Sequence, residues 1–143
     1  MIVCDSGPLI SAWNEDEGPR HRFSVATLEL YAREIVVPWP VFTEVDLFLR
    51  RRGAGRAALA LGRSLARGDF ALSAPTPAEL QSALDLLERY GDLGIDLPDA
   101  VVMAMTGARG ARAFTWDFRH FRAVVFGRGE AIPLLVTEAD MPA

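Results

Sequence analysis

The chain has no lysine; all 15 of its basic residues are arginine. That absence excludes a phosphate-cradling G-x-x-x-x-G-K-[ST] loop. G-x-S-x-G, G-x-G-x-x-G and C-x-x-C are missing as well, which removes the common hydrolase, dinucleotide and redox signatures. One cysteine, Cys4, cannot form an internal disulfide, and its place in the apolar run Ile2-Val3-Cys4 reads as a small buried hydrophobe. The two histidines, His21 and His120, are too few and too poorly placed for a zinc centre. No apolar run approaches the roughly 18 residues of a membrane span. No Lys or Arg precedes Asp5, so the amino terminus lacks the basic start of a signal peptide, and a cytoplasmic protein is expected. Positive charge is also short. The net charge of −4 provides no global field to gather nucleic acid. A nucleic-acid enzyme stays open, because a bound divalent metal and local arginines can supply what the whole chain lacks.

What is present is ordinary globular material: 143 residues, 50% hydrophobic and 24% charged. This is the size and balance of one domain, expected to span residues 1–143. Short apolar runs at Ile2–Cys4, Ile35–Val37, Ala71–Leu72, Ala113–Phe114 and Leu134–Val136 alternate with helically periodic stretches. Those stretches are Pro8–Trp13, Arg22–Arg33, Pro40–Arg52, Ala54–Arg67, Pro77–Tyr90 and Pro98–Arg109. Pro40, Pro77 and Pro98 stand near helix starts, and Gly53, Gly68 and Gly110 where helices should stop. The alternation predicts an α/β fold with a mostly parallel sheet covered by helices.

Most acids have plain explanations. Asp85 and Glu88 lie on Pro77–Tyr90, and Asp85 points away from the expected apolar stripe Leu80, Ala83, Leu84, Leu87. Glu15, Asp16 and Glu17 read as a solvated loop, and Asp92 as a turn residue. Four acids resist this. Asp5 follows the first strand and Asp117 follows Ala113-Phe114-Thr115, at the strand ends where ligands collect in open parallel sheets. Taken singly, an Asx turn or helix N-cap is the better reading of each. Glu44 borders the stripe Val41, Val45, Phe48, Leu49, whereas Asp46 gives the same helix its solvent face. An unpaired carboxylate there is costly unless it protonates, pairs or binds a metal, and Arg51 is a candidate partner. Asp99 opens an almost wholly apolar helix. With Asp96 as N-cap, Asp99 is its third residue, a position that stabilises the first turn by ~0.3–1 kcal/mol. Its carboxylate leaves beside Val102, Met103 and Thr106, so capping and metal binding are compatible.

Two of the four come from strand ends and two from first helical turns, which permits convergence at one sheet edge. Four neighbouring carboxylates repel, and at least one protonates unless a cation is present. Hard oxygen donors without Cys or His suit Mg²⁺ or Mn²⁺, whose chemistry suits phosphodiester cleavage.

The four segments together resemble PIN-domain ribonucleases, and among these the VapC-type toxins of bacterial toxin–antitoxin pairs. Asp5 lies in Ile2-Val-Cys-Asp-Ser-Gly-Pro-Leu-Ile10, and Glu44 in Pro40-Val-Phe-Thr-Glu-Val-Asp-Leu-Phe-Leu-Arg50. Asp99 lies in Leu97-Pro-Asp-Ala-Val-Val-Met-Ala104, and Asp117 in Phe114-Thr-Trp-Asp-Phe-Arg-His-Phe121. Order and spacing agree from Ile2 to about Val136. The resemblance implies a PIN-like three-layer sandwich, a Mg²⁺-dependent endoribonuclease, often a homodimer, and a small VapB-like antitoxin that blocks the site. It casts Asp5 and Asp99 as principal metal ligands, with Glu44 and Asp117 in support. Ser6 and Thr115 either bond the carboxylates or the phosphate, or only cap turns. Asp96 is an outer ligand or an N-cap, and Arg119 faces substrate or pairs with an acid. Trp116 departs from the commonest pattern, which has a smaller residue there.

Arg52, Arg56, Arg63 and Arg67 would form one basic stripe if their helix were continuous, which Gly53 and Gly55 oppose. Trp13, Trp39 and Tyr31 belong either to the core or to an antitoxin groove. The competing functions are a PIN nuclease of RNA maturation or decay, a silent RNA- or protein-binding PIN module, and a structural domain whose acids are caps and ion pairs.

Overall fold

The structure, a computed structural model, describes residues 1–142. Among these residues four strands form one sheet flanked by seven α-helices. The strands are β1 (Ile2–Cys4), β2 (Ile35–Pro38), β3 (Ala71–Ser73) and β4 (Arg112–Phe114). The helices are α1 (Ser6–Ala12), α2 (Pro19–Leu30), α3 (Trp39–Arg51), α4 (Gly55–Arg67), α5 (Pro77–Tyr90), α6 (Leu97–Ala108) and α7 (Phe118–Ala123).

All pairings are parallel, in the order β3-β2-β1-β4. The chain therefore winds outward from β1 to β3, then crosses back to add β4 on the other side of β1. The reversal leaves a crevice between the carboxyl ends of β1 and β4, the place where an open parallel sheet takes its ligand. Ile2, Val3 and Cys4 are fully buried, as expected of a central strand covered on both faces. Burial also pushes the Cys4 thiol far above its ordinary range, so it behaves as an inert small hydrophobe.

The helix punctuation follows the sequence. Proline occupies the first turn of α2, α3, α5 and α6, and Gly68 closes α4 in the left-handed region at φ 80°. The glycine-rich break at residues 53–55 separates α3 from α4, so the continuous basic stripe through Arg52 does not form.

Two expectations are corrected, and one helix is added. The run Leu134–Val136 is not a strand but a single parallel bridge from Leu134 to Ala113. Ala113 donates to the Pro133 carbonyl and accepts from Leu135 N–H; Pro133 itself has no N–H with which to extend a ladder. Helix α7 follows Asp117, whose side chain accepts from His120 N–H and starts it. On α5 the buried face is rotated from the expected stripe. Leu80 and Leu84 are exposed, while Glu79 and Ala83 are buried. The rotated face places Glu79 against the neighbouring helix. Arg109, at the end of α6, holds Glu79 through two bonds of 2.7 and 2.9 Å and also donates to Ser73 Oγ. This buried pair clamps the start of α5 to the end of α6 and the end of β3.

Candidate active site

Asp5 leaves β1 at the crevice and is only 4% exposed. Its Oδ1 accepts from Ser6 N–H at 2.8 Å, starting α1 as an N-cap, and its Oδ2 accepts from Thr115 Oγ1 at 2.7 Å. Thr115, fully buried at the end of β4, accepts in turn from Asp117 N–H at 2.9 Å. One hydroxyl thus ties the acids of two adjacent strand ends together. His120 completes the chain: its Nδ1 lies 2.7 Å from Asp117 Oδ2, and this contact raises the imidazole pKa. Arg119 is exposed and makes no ion pair among the described residues.

Asp99 and Asp96 form a reciprocal capping box at the start of α6. Asp99 N–H donates to Asp96 Oδ1, and Asp96 N–H donates to Asp99 Oδ2. The capping role expected of Asp96 is therefore present, and Asp99 Oδ1 is left without a protein partner. Glu44, half-buried on α3, makes no ion pair with Arg51 or any other described residue.

The electrostatics separate these acids from ordinary caps. Burial lifts the Asp5 carboxyl to about 6 despite the opposing bonds from Thr115 and Ser6, and the charges of Glu44 and Asp117 add to the rise. Burial likewise lifts Asp99 to about 7, with the charges of Asp5 and Asp96 contributing. Glu44 is raised by burial as well; the nearby Ser6 side chain opposes this, and the charge of Asp96 reinforces it. The acids therefore feel one another across β1, α3, α6 and β4. No arginine among them neutralises Asp5, Glu44 or Asp99. Capping accounts for where these side chains point, but not for a set of repelling carboxylates without a cation.

As the side chains stand, no three His, Cys, Asp or Glu groups among the described residues converge on one ion-sized point. Asp99 is turned onto its cap and Asp117 onto His120. The donor set nevertheless fits a hard divalent cation: it is built of carboxylate oxygens, two of them lifted towards neutrality by burial and by the neighbouring acids.

Trp116 braces the pocket from behind. Its indole Nε1–H donates to Ser11 Oγ, and Ser11 Oγ donates to Glu17. The ring packs edge-on to Phe114 and tilted against Phe23. A Cβ at position 7 would stand 2.9 Å from the indole, so only glycine fits the first turn of α1 there. Glu17, which reads as part of a solvated loop, is a half-buried acceptor in this brace. No local pattern marks it, because its donor belongs to another helix. Of the other aromatics, Trp13 packs against Phe70 in the core, whereas Trp39 is 46% exposed beside Phe42.

Residues 2–127 match the PIN domain family. The chain belongs to that family. A curated relative, Ribonuclease VapC26 of Mycobacterium tuberculosis, is 29% identical over 136 residues, covering 92% of this chain and all of the relative. The crystal structure of M. tuberculosis VapC20, titled a sarcin-ricin loop cleaving toxin, aligns with a TM-score of 0.70 at 22% identity, over 84% of this chain and 94% of that one. VapBC2 from Rickettsia felis, solved with a DNA fragment from its promoter, aligns at 0.66 and 16% identity, covering 94% of this chain and 97% of that one. These likenesses establish the PIN-like α/β fold of VapC structures. In this PIN domain no helix is long and apolar enough to cross a membrane.

Proposed function

We propose that this PIN domain, residues 1–143, is a metal-dependent endoribonuclease and the toxin of a VapBC-type pair. The observation that carries the reading is the placement of Asp5: buried at the fold's switch point, bonded through Thr115 to the neighbourhood of Asp117, and lacking any arginine or lysine to neutralise it. A nuclease relative and a toxin structure of the same fold support it.

In this reading Asp5 and Asp99 hold the principal Mg²⁺ or Mn²⁺, with Glu44 and Asp117 completing the acidic pocket. The bound cation supplies water activation and charge stabilisation on the leaving oxygen. Thr115 and the Ser6 amide fix the Asp5 oxygens, and Asp96 holds Asp99 at the helix start. His120 fixes Asp117, and exposed Arg119 is available to a substrate phosphate. The partners are RNA, a VapB-like antitoxin that covers the pocket, and a second copy of the chain in a cytoplasmic homodimer.

Cleavage of total RNA by the purified chain, with Mg²⁺ or Mn²⁺ against EDTA, tests this. Discrete fragments that vanish with chelator and with Asp5→Asn support the nuclease. A folded, antitoxin-free chain that cleaves nothing across ribosomal, transfer and messenger RNA would overturn it in favour of a silent binding module.

A further inference from the structure

Glu44 has a second side. Together with Leu47, Phe48, Arg51 and Arg52 it lines a cavity of about 400 Å³. These residues stand at i, i+3, i+4, i+7 and i+8 along α3, one face of the helix. The face changes character along its length: an acid at the catalytic edge, then two large apolar groups, then two cations. Leu47 is 48% exposed, and the Arg52 guanidinium lies over the Phe48 ring, 4.5 Å from its centroid. The neighbouring Arg50 is held by Asp46, and Arg67 on α4 by Asp69. Arg51 and Arg52 have no acidic partner among the described residues.

We infer that this cavity is a single-stranded RNA subsite, receiving the nucleotide that flanks the one cleaved beside Glu44. The inference rests on the nuclease reading and adds to it the place where substrate is held. A phosphate chain approaching a set of carboxylates, in a protein of net charge −4, is repelled unless cations flank them. Arg51 and Arg52, seven and eight residues beyond Glu44, are cations with no acidic partner about two helical turns away. The Phe48–Arg52 stack offers a flat surface that an unpaired base can extend, with Leu47 against its edge. A base held in an intact duplex cannot reach such a surface, so the subsite selects loops and single strands.

The test uses the full chain carrying Asp5→Asn, which prevents cleavage, and a short fluorescein-labelled single-stranded RNA of mixed sequence. Adding Arg51→Ala and Arg52→Ala is expected to weaken binding roughly ten-fold. The slope of log affinity against log salt should fall by about 0.7–1.4, the loss of one to two phosphate contacts. Phe48→Leu should weaken binding several-fold and leave the slope unchanged. With Asp5 intact, the arginine pair should raise KM and preserve kcat. Arg56→Ala with Arg63→Ala on α4 should change neither. Arg51 and Arg52 are both exposed, so circular dichroism and Tm should match the parent.

If the parent cleaves RNA while the arginine pair binds with unaltered affinity and slope, the subsite is overturned and the nuclease stands. If RNA binding is unaltered but sedimentation shows that a parental dimer has come apart, the face is a protein interface and the subsite is again overturned. A parent that neither cleaves nor binds RNA overturns the nuclease reading and the subsite with it.

Discussion

Asp5 and Glu79 are almost equally buried, at 4% and 5% exposure, yet the protein treats their charges in opposite ways. Glu79 faces Arg109 across two short bonds, and that guanidinium draws its carboxyl down to about 2. Asp5 has only neutral donors, and burial drives its carboxyl up to about 6. A carboxylate thus serves as half of an ion-pair clamp beside β3 and, beside β1, as a buried group with no cationic partner. The fold buries one carboxylate against its own arginine and another with neutral donors alone, so only the second is held short of positive charge.

The contrast can be broken most sharply at Asp5. Asp5→Asn should reduce RNA cleavage by at least about 10³-fold, since it removes a group that acts with the other acids as a unit. In EDTA it should change stability by no more than about 1 kcal/mol, because the lost charge had no cationic partner and only one of the two hydrogen bonds from Ser6 and Thr115 loses its acceptor. Arg109→Ala should do the reverse. It leaves Glu79 without its cation, at a cost of about 1–3 kcal/mol, while cleavage per folded molecule at low temperature stays at the parental level. Denaturant melts and initial rates on the same preparations check both.

Acid titration sharpens the comparison. The folded pKa of Glu79 lies below its ordinary 4.5, at about 2. Its contribution is therefore complete above pH 4.5 and is lost as pH falls from 4.5 towards 2. Over that window the parent should lose on the order of 2–3 kcal/mol relative to Glu79→Gln. The smallest effect belongs to Trp116→Phe, which keeps the ring packing and removes the Nε1–H bond to Ser11. It should cost about 1 kcal/mol of stability and a few-fold in cleavage. A loss as large as that of Asp5→Asn would instead place Trp116 in contact with substrate.

The places of Asp5, Asp117 and Asp99 were readable in the sequence because the local pattern shows the strand end or helix start at which each stands. Asp5 and Asp117 come straight after apolar strands, and Asp99 stands three residues after a capping Asp96. The parallel sheet was readable for the same reason, from strands and helices in alternation. What stayed hidden depends on partners far apart in the chain. Glu79 and Arg109 are 30 residues apart, and nothing near either announces the other. Their pairing accompanies an α5 whose Leu80 and Leu84 face solvent, against the pattern of α5 itself. The Trp116–Ser11–Glu17 brace spans 105 residues in its first bond and was hidden likewise. The cavity beside Glu44 falls between these cases. The spacing of Arg51 on Glu44's face is visible, but an ion pair and an open basic subsite give the same spacing.

The most direct test of the account is the effect of Mg²⁺ on Tm in the parent, Asp5→Asn and Asp99→Asn. A cation that binds only the folded carboxyl edge should raise the parental Tm, by the equivalent of about 2.7 kcal/mol at one hundred times its Kd. In both variants most of that rise should disappear. Equal shifts in all three proteins, or none in any, would contradict the claim that these unpaired acids form a site for a divalent cation.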